Sequence, residues 1–237
     1  MRTKVLICAA ALAASLASST AQNVYSLNVV GYVQYTVPAS LSALVANPLD
    51  ATMGNTVANG NTVSNLFSIN TMTVLGNNSA VFGYNSAAGN YNTPITYKTA
   101  GKIWTGGTGP ATTVNPGQAL VFKNTAASDT VITFVGQVVQ GPYTVGILPA
   151  SLSSLVGSPV PIGGHITNST TALGLLPSNN DAVLTYNSAA GNYNSPSTYK
   201  TAGKIWTPAI TLNPGQGFIY KNASATPNTW VSNFTVQ

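Results

Sequence analysis

The hydrophobic residues of this chain come in short runs of β-branched and aromatic side chains, separated by clusters of Gly, Pro, Asn and Ser. Ala80 to Tyr84 and Asn90 to Asn92 flank Ser86 to Gly89, a pattern that predicts a β-hairpin. A second turn is predicted at Thr99 to Gly101. Turn signals recur roughly every 8–12 residues, which is typical of an all-β fold.

One four-residue turn has a strong signature of its own. Asn115 to Gln118 reads Asn-Pro-Gly-Gln and predicts a type II turn, because Pro presets φ at the second position and Gly accepts a positive φ at the third. Leu120 to Phe122 is the strand that follows. A short helical turn is predicted at Thr62 to Phe67 with Asn61 as its N-cap, and a similar one near Thr170 to Leu175. The predicted fold class is therefore all-β, a β-sandwich or small barrel.

Self-similarity divides the chain into two tandem homologous modules. Tyr84 to Thr105 and Tyr186 to Thr207 differ at only two of their 22 positions. Upstream of these segments, Pro38 to Pro48 corresponds to Pro149 to Pro159. We interpret this as a duplication, with a first β module over residues 22–140 and a second over 141–237, each of ordinary domain size.

The N-terminus has the pattern of a secretory signal peptide. Arg2 and Lys4 precede a mostly apolar run from Val5 to Leu16, and Ser19 and Ala21 occupy the −3 and −1 positions of a cleavage site. Residues 1–21 are predicted to be removed, so the protein is expected to be extracellular or at the cell surface. No later stretch has the roughly 20 apolar residues of a membrane helix, so no transmembrane segment is expected in the mature chain.

Charge and reactive side chains are scarce. Charged residues make up 5% of the chain, there is no Glu, and the single Cys, Cys8, lies in the predicted signal peptide. Asp50, Asp129 and Asp181 do not recur at matched repeat positions, and His165 is the only histidine. Acid–base catalysis and metal binding both need clustered ligands or proton carriers. We therefore expect no enzyme activity, no cofactor, no metal and, with so few basic residues, no nucleic-acid partner.

The repeat carries one recurring set of side chains with the chemistry of a contact surface. Lys102 and Trp104 are two residues apart, so in a strand they would share one face, with Ile103 on the other. If Ile103 belongs to the core, the indole lies at least partly outside it and could stack on a sugar ring or contact another subunit. The alternative is that a loop or the sister module covers it. The full set comprises Tyr97, Lys98, Lys102, Trp104, Tyr199, Lys200, Lys204 and Trp206.

Three motifs occur along the chain: Asn28 to Val33 reads NVVGYV, Pro38 to Leu49 ends in ANPL, and both copies contain an Asn-Pro-Gly-Gln turn. With these motifs, nearly the whole mature chain resembles a family of secreted tandem β-repeat proteins of unknown function that are common in Verrucomicrobia. These motifs form strands and turns and carry no chemistry. The resemblance implies secretion and a β fold, and it implies no reaction.

Two functional hypotheses remain open. The first is a self-assembling extracellular structural protein, such as a matrix, surface-layer or filament subunit, because the chain has few charges to guard its edge strands. Val29 to Tyr35 and Trp230 to Val236 are the strands expected to pair with another copy. The second is an adhesin-like module that binds extracellular polysaccharide through the duplicated Tyr/Lys/Trp surface.

Overall fold

The computed structural model describes residues 29–54, 56–166 and 175–236. The protein is all-β, with one short helix among these residues, which confirms the predicted fold class. Within the described ranges the strands form several antiparallel sheets and none closes into a barrel. The predicted signal peptide lies outside the described residues.

Nine strands and the helix belong to the first copy. In chain order they are β1 (Val30–Val37), β2 (Ser42–Ala46), α1 (Val63–Leu66), β3 (Ala80–Phe82), β4 (Tyr84–Asn85), β5 (Asn90–Tyr91), β6 (Ile95–Lys98), β7 (Ile103–Thr105), β8 (Ala119–Lys123) and β9 (Thr130–Gln137).

Eleven strands belong to the second copy. They are β10 (Gly141–Leu148), β11 (Ser153–Gly157), β12 (Gly164–His165), β13 (Ala182–Leu184), β14 (Tyr186–Asn187), β15 (Asn192–Tyr193), β16 (Ser197–Lys200), β17 (Ile205–Thr207), β18 (Thr211–Leu212), β19 (Gly217–Lys221) and β20 (Asn228–Phe234).

The two copies contain corresponding sheets. Each has a five-stranded sheet, ordered β2-β8-β3-β6-β7 in the first copy and β11-β19-β13-β16-β17 in the second. Each also has a long two-stranded ribbon made of its first and last strands, β1 with β9 and β10 with β20. Duplicated sequence has therefore produced duplicated topology. The division between residues 140 and 141 stays a prediction.

In the first copy the core lies between the five-stranded sheet and the ribbon. Side chains of β9 alternate between buried and less buried, as expected of a ribbon with one covered face. Ile132 and Phe134 point inward and meet Phe122 of the sheet and Phe67, which follows α1. The Phe67 ring stacks on Phe122 at 5.8 Å and meets Phe134 edge-on at 6.2 Å. In the second copy, Trp230 packs on Phe218 at 6.0 Å.

The local turn predictions are confirmed. β4 and β5 form the predicted hairpin, with Tyr84 opposite Tyr91, and Gly89 in its turn has a φ of +65°. β6 and β7 pair across the second predicted turn. In the Asn-Pro-Gly-Gln turn the amide of Gln118 donates to the carbonyl of Asn115 at 2.9 Å.

The predicted helical turn is present, but its predicted cap is wrong. Thr62 is the N-cap of α1 and makes no side-chain capping bond. Asn61 is buried instead, where its amide nitrogen donates to Asp50 and its amide oxygen accepts from the backbone of Ala51. An Asn side chain at this position can either cap the helix or form hydrogen bonds with other parts of the chain. Here the tertiary contacts with Asp50 and Ala51 take the place of the cap. The second predicted helical turn falls almost entirely outside the described residues.

The two copies pack on each other with approximate two-fold symmetry. The amide of Ala46 donates to the carbonyl of Gly215 at 2.9 Å, and the corresponding amide of Gly157 donates to the corresponding carbonyl of Gly117 at 2.9 Å. Gly117 and Gly215 have φ values of +82° and +76° in the two Asn-Pro-Gly-Gln turns. These turns therefore serve the contact between copies as well as the local chain reversal.

Small residues allow this approach. A Cβ atom added to Gly157 would lie 2.2 Å from the Cβ of Ala46. Beside this contact, Leu44, Leu155 and Ile219 form an apolar cluster that neither copy's main core contains. The two copies are thus held together both by apolar packing and by backbone hydrogen bonds. No helix among the described residues has the length and apolar character needed to cross a membrane.

Candidate functional site

The structure overturns the expected outward orientation of the tryptophans. Trp104 is 5% exposed and Trp206 is 3% exposed, whereas the neighbouring Ile103 and Ile205 are 53% and 50% exposed. The condition under which the indole would lie outside the core, a buried Ile103, is therefore not met, and the indole is covered, as in the alternative interpretation. The same inversion occurs in both copies, so it is a property of the repeated segment.

The backbone at the preceding lysines explains why the lysine and the tryptophan do not share a strand face. Lys102 and Lys204 each have a φ of +51°, in the left-handed region, and belong to the turn. The strand alternation therefore begins at Ile103, so a spacing of two residues does not place Lys102 and Trp104 on one face. Trp104 lies opposite Tyr97 in the β6–β7 pair, with the rings 5.4 Å apart.

Each tryptophan is packed against a tyrosine of its own sheet. Tyr97 is buried, and in the second copy Tyr199 is half-buried with its ring 5.4 Å from that of Trp206. The indole nitrogen of Trp104 donates to the carbonyl of Phe67 at 2.7 Å, which ties the edge strand to the end of α1. The two indoles are thus structural parts of the cores.

The four lysines of the predicted surface remain exposed but do not gather into one patch. Lys98 donates to Oδ1 of Asn78 at 2.7 Å, and Lys200 makes the corresponding bond to Asn180 at 2.7 Å. Lys102 instead lines an open pocket of about 770 Å³ beside β7 and α1. The structure brings Tyr97, Lys102 and Trp104 together at this pocket, whereas Lys98 does not line it.

The three aspartates lie far apart in sequence, and each accepts hydrogen bonds from other parts of the fold. Burial alone would raise the pKa of Asp50, but hydrogen bonds from Thr52, Asn61 and Gly54 hold it below its ordinary value. Asp129 accepts from the backbone of Ala39 at 2.9 Å. Within the described ranges, no three His, Cys, Asp or Glu residues are close enough to hold a metal ion.

Asp181 is completely buried and joins three parts of the second copy. It accepts hydrogen bonds from the Tyr220 hydroxyl, from the amide of Ser178 at 2.6 Å and from the amide of Ala223 at 2.7 Å. Burial, together with the donation to Asp181, raises the pKa of the Tyr220 hydroxyl. The carboxylate therefore has the environment of a structural anchor.

Sequence reasoning missed a cluster of four tyrosines where the two copies meet. The hydroxyls of Tyr91 and Tyr193 are hydrogen-bonded to each other. Each of these rings also meets a tyrosine of its own hairpin edge-on, Tyr84 at 5.5 Å and Tyr186 at 5.4 Å. A phenol is protonated at neutral pH, and burial raises the pKa of both Tyr91 and Tyr193 further above its ordinary value.

The near-verbatim repeat was a signal for this cluster. All four tyrosines belong to the segments Tyr84 to Thr105 and Tyr186 to Thr207, and two-fold packing brings equivalent residues together. A shared contact surface is one explanation for the identity of the two segments. The surface that the structure shows is between the two copies of one chain.

In comparisons with protein-family models, curated proteins and solved structures, nothing matches this chain. The resemblance to secreted tandem β-repeat proteins therefore stays a prediction. The functional argument rests on the residues and their geometry.

Proposed function

We propose that this protein is a non-enzymatic secreted structural protein that assembles with copies of itself outside the cell. The observation that carries the proposal is the open edge of β1. This strand is eight residues long, about 26 Å at the usual rise of a strand, and it pairs only with β9.

The outward-pointing backbone groups of β1 follow from the ladder. The amide of Val138 donates to the carbonyl of Val29, and in an antiparallel pair such bonds involve every second residue. The N–H and C=O groups of Val30, Tyr32, Gln34 and Thr36 therefore point away from β9. No other residue of the described ranges is hydrogen-bonded to them.

The other side of the ribbon is covered. The amide of Thr73 donates to the carbonyl of Val131 at 3.1 Å, and the amide of Thr133 donates to the carbonyl of Thr71 at 2.7 Å. The segment around Met72 thus completes the ladder on β9, with Met72 itself bridged to Ile132. Only the β1 side of this ribbon presents a long unpaired edge, and Pro161, Asn213 and Pro214 of the second copy line an open pocket beside its residues 32–36.

The open edge lacks the usual protection against pairing. Neither β1 nor β9 contains a charged residue. Val30, Tyr32 and Val135 are 61%, 63% and 43% exposed on the outward face. Natural edge strands usually carry Lys, Pro or a bulge that prevents association, so an uncharged edge of this length favours strand addition by another molecule.

Polymerisation needs a second contact on each subunit, and the two five-stranded sheets provide candidates. β7 and β17 lie at the outer ends of these sheets. Each presents an exposed isoleucine, Ile103 or Ile205. A pairing of β1 with β1 about a two-fold axis would close a dimer, and contacts at β7 or β17 would extend dimers into filaments or layers.

Blocking the edge should abolish association. We expect Gln34→Pro to reduce assembly at least tenfold, because it removes an outward N–H while leaving the alternate bonds to β9. Gln34→Ala is the matched control, since it removes the side chain but keeps the N–H. Assembly is measured on the mature protein by analytical ultracentrifugation and negative-stain electron microscopy, with circular dichroism to verify folding.

Two results would contradict the proposal. One is a mature protein that stays monomeric at high concentration across salt and pH. The other is a folded Gln34→Pro variant that assembles as well as Gln34→Ala. In the second case the open β1 edge has no part in the contact.

A second candidate function, polysaccharide binding, is favoured by the pocket beside β7. We propose it as the alternative because the pocket combines one cation, Lys102, with the edges of Tyr97 and Trp104 and with amides such as Asn59 and Asn65. Sugars are bound by aromatic edges and faces together with hydrogen-bonding side chains. The buried indoles leave Lys102 as the residue to test.

Lys102→Ala should weaken retention on alginate, an acidic polysaccharide, by about tenfold, the worth of one charged hydrogen bond. Lys98→Ala is the matched control, because it removes the same charge from a site outside the pocket. Retention is measured in pull-downs with alginate, cellulose and chitin. Equal retention of the two variants would remove this pocket from consideration.

A further inference from the structure

The tyrosine cluster between the copies has a geometry that the proposed assembly does not use. Tyr91 and Tyr193 occupy equivalent positions, 102 residues apart, and their hydroxyls are in direct contact. Tyr91 is 40% exposed, so small oxidants can reach the pair from solvent.

We propose that Tyr91 and Tyr193 are a site of oxidative cross-linking, at which a dityrosine bond joins the two copies covalently. The oxidant is a one-electron oxidant of the peroxidase class, with hydrogen peroxide as the terminal electron acceptor. The proposal does not depend on self-assembly, because both tyrosines belong to the same chain.

The reaction balances as follows. Each phenol loses one electron and one proton and becomes a phenoxyl radical. The two radicals couple by forming a carbon–carbon bond between the ring carbons next to the hydroxyl-bearing carbons. The hydrogen on each coupled carbon then moves to oxygen, restoring two phenols. The protein loses two hydrogen atoms in total, and one molecule of hydrogen peroxide takes them up to give two molecules of water.

The contact favours this coupling over coupling elsewhere. The reactive carbons adjoin the carbons that carry the touching hydroxyls, so the folded chain holds the two coupling positions near each other. Tyr84 and Tyr186 lie 5.5 Å and 5.4 Å from the central pair, so a radical formed on either outer ring has a phenol neighbour to oxidise. Raised pKa values keep the phenols protonated, which fits loss of the proton together with the electron.

The bond would join the two copies covalently at their interface. It would close a loop of about 100 residues that contains strands of both five-stranded sheets. Like a disulfide, it would reduce the entropy of the unfolded chain. The only cysteine in the sequence is Cys8, in the predicted signal peptide, so a tyrosine pair would be the chain's own means of covalent closure.

The test is treatment of the purified monomer, at low concentration, with a haem peroxidase and limiting hydrogen peroxide. We expect dityrosine fluorescence and a monomer mass lower by two hydrogen atoms. After cleavage at lysines, the peptide that ends at Lys98 should be linked to the peptide spanning residues 124–200. The cross-linked monomer should also unfold at higher denaturant concentration than the untreated protein.

Single Tyr→Phe variants identify which tyrosines are cross-linked. Tyr91→Phe and Tyr193→Phe should each lower the yield of the linked peptide at least tenfold, and because both residues are at least partly exposed, these variants should stay folded. Tyr97→Phe is the matched control at a buried tyrosine of the same repeat and should keep the yield of the wild type.

The proposal is overturned by an unchanged yield in Tyr91→Phe. It is equally overturned if the wild-type linkage appears only in dimers and grows with protein concentration, because the bond would then join different chains. Neither outcome bears on β1, whose role is read from the Gln34 variants.

Discussion

Truncation of Trp104 to alanine is expected to lower the free energy of unfolding by about 3–5 kcal/mol, the usual range for a buried tryptophan. The indole is 5% exposed, packs on Tyr97 at 5.4 Å and donates to the carbonyl of Phe67. Its removal opens a cavity at the sheet edge and leaves that carbonyl without its donor. Guanidinium denaturation followed by circular dichroism gives the change without relying on tryptophan fluorescence.

The adjacent residue provides the control. Ile103→Ala should cost less than about 1 kcal/mol, because the side chain is 53% exposed. Equal losses for the two variants, or a larger loss for Ile103→Ala, would contradict the observed strand orientation. The same comparison can be made in the second copy with Trp206 and Ile205. Loss of polysaccharide retention in a Trp104 variant would therefore report unfolding rather than a lost binding platform.

The second large effect is expected at Asp181. Asp181→Ser should destabilise the protein by about 3 kcal/mol, because it removes a buried carboxylate that accepts from Tyr220 and from two backbone amides. The first copy shows how the same site works without a carboxylate. There Ser79 occupies the equivalent position and Phe122 replaces the tyrosine.

The double variant Asp181→Ser, Tyr220→Phe should recover most of this loss, to within about 1 kcal/mol of the wild type. It copies the first-copy arrangement, in which Ser79 accepts from the amide of Thr125 and no phenol needs a partner. A double-mutant cycle measured by chemical denaturation should give a coupling energy of about 2–3 kcal/mol. Additive losses would show that the Tyr220 hydroxyl does not depend on Asp181.

The local features of the fold could be predicted because short stretches of sequence encode them. The hairpin at Ser86 to Gly89 and the turn at Asn115 to Gln118 depend on residues that accept a positive φ. The strand at Leu120 to Phe122 follows from β-branched and aromatic composition. The corresponding sheets of the two copies follow from duplication.

The site could be predicted only in part, because strand faces depend on where a strand begins. The pattern Lys-Ile-Trp allows either face to be buried, and the pairing of Trp104 with the buried Tyr97 decides that it is the tryptophan side. Sequence counting assumed that the strand included the lysine. The structure therefore places both indoles in the cores, where counting along the strand had allowed them to lie at the surface.

The sequence by itself determined an all-β chain with two equivalent halves and few charges, since composition, turn residues and repetition are local properties. Only the tertiary structure decided which side of each edge strand is covered, that Tyr91 meets Tyr193, and that β1 keeps an open edge. These outcomes depend on contacts between residues about 100 positions apart in the chain. Such contacts are selected by the packing of whole sheets, which no short stretch of sequence specifies.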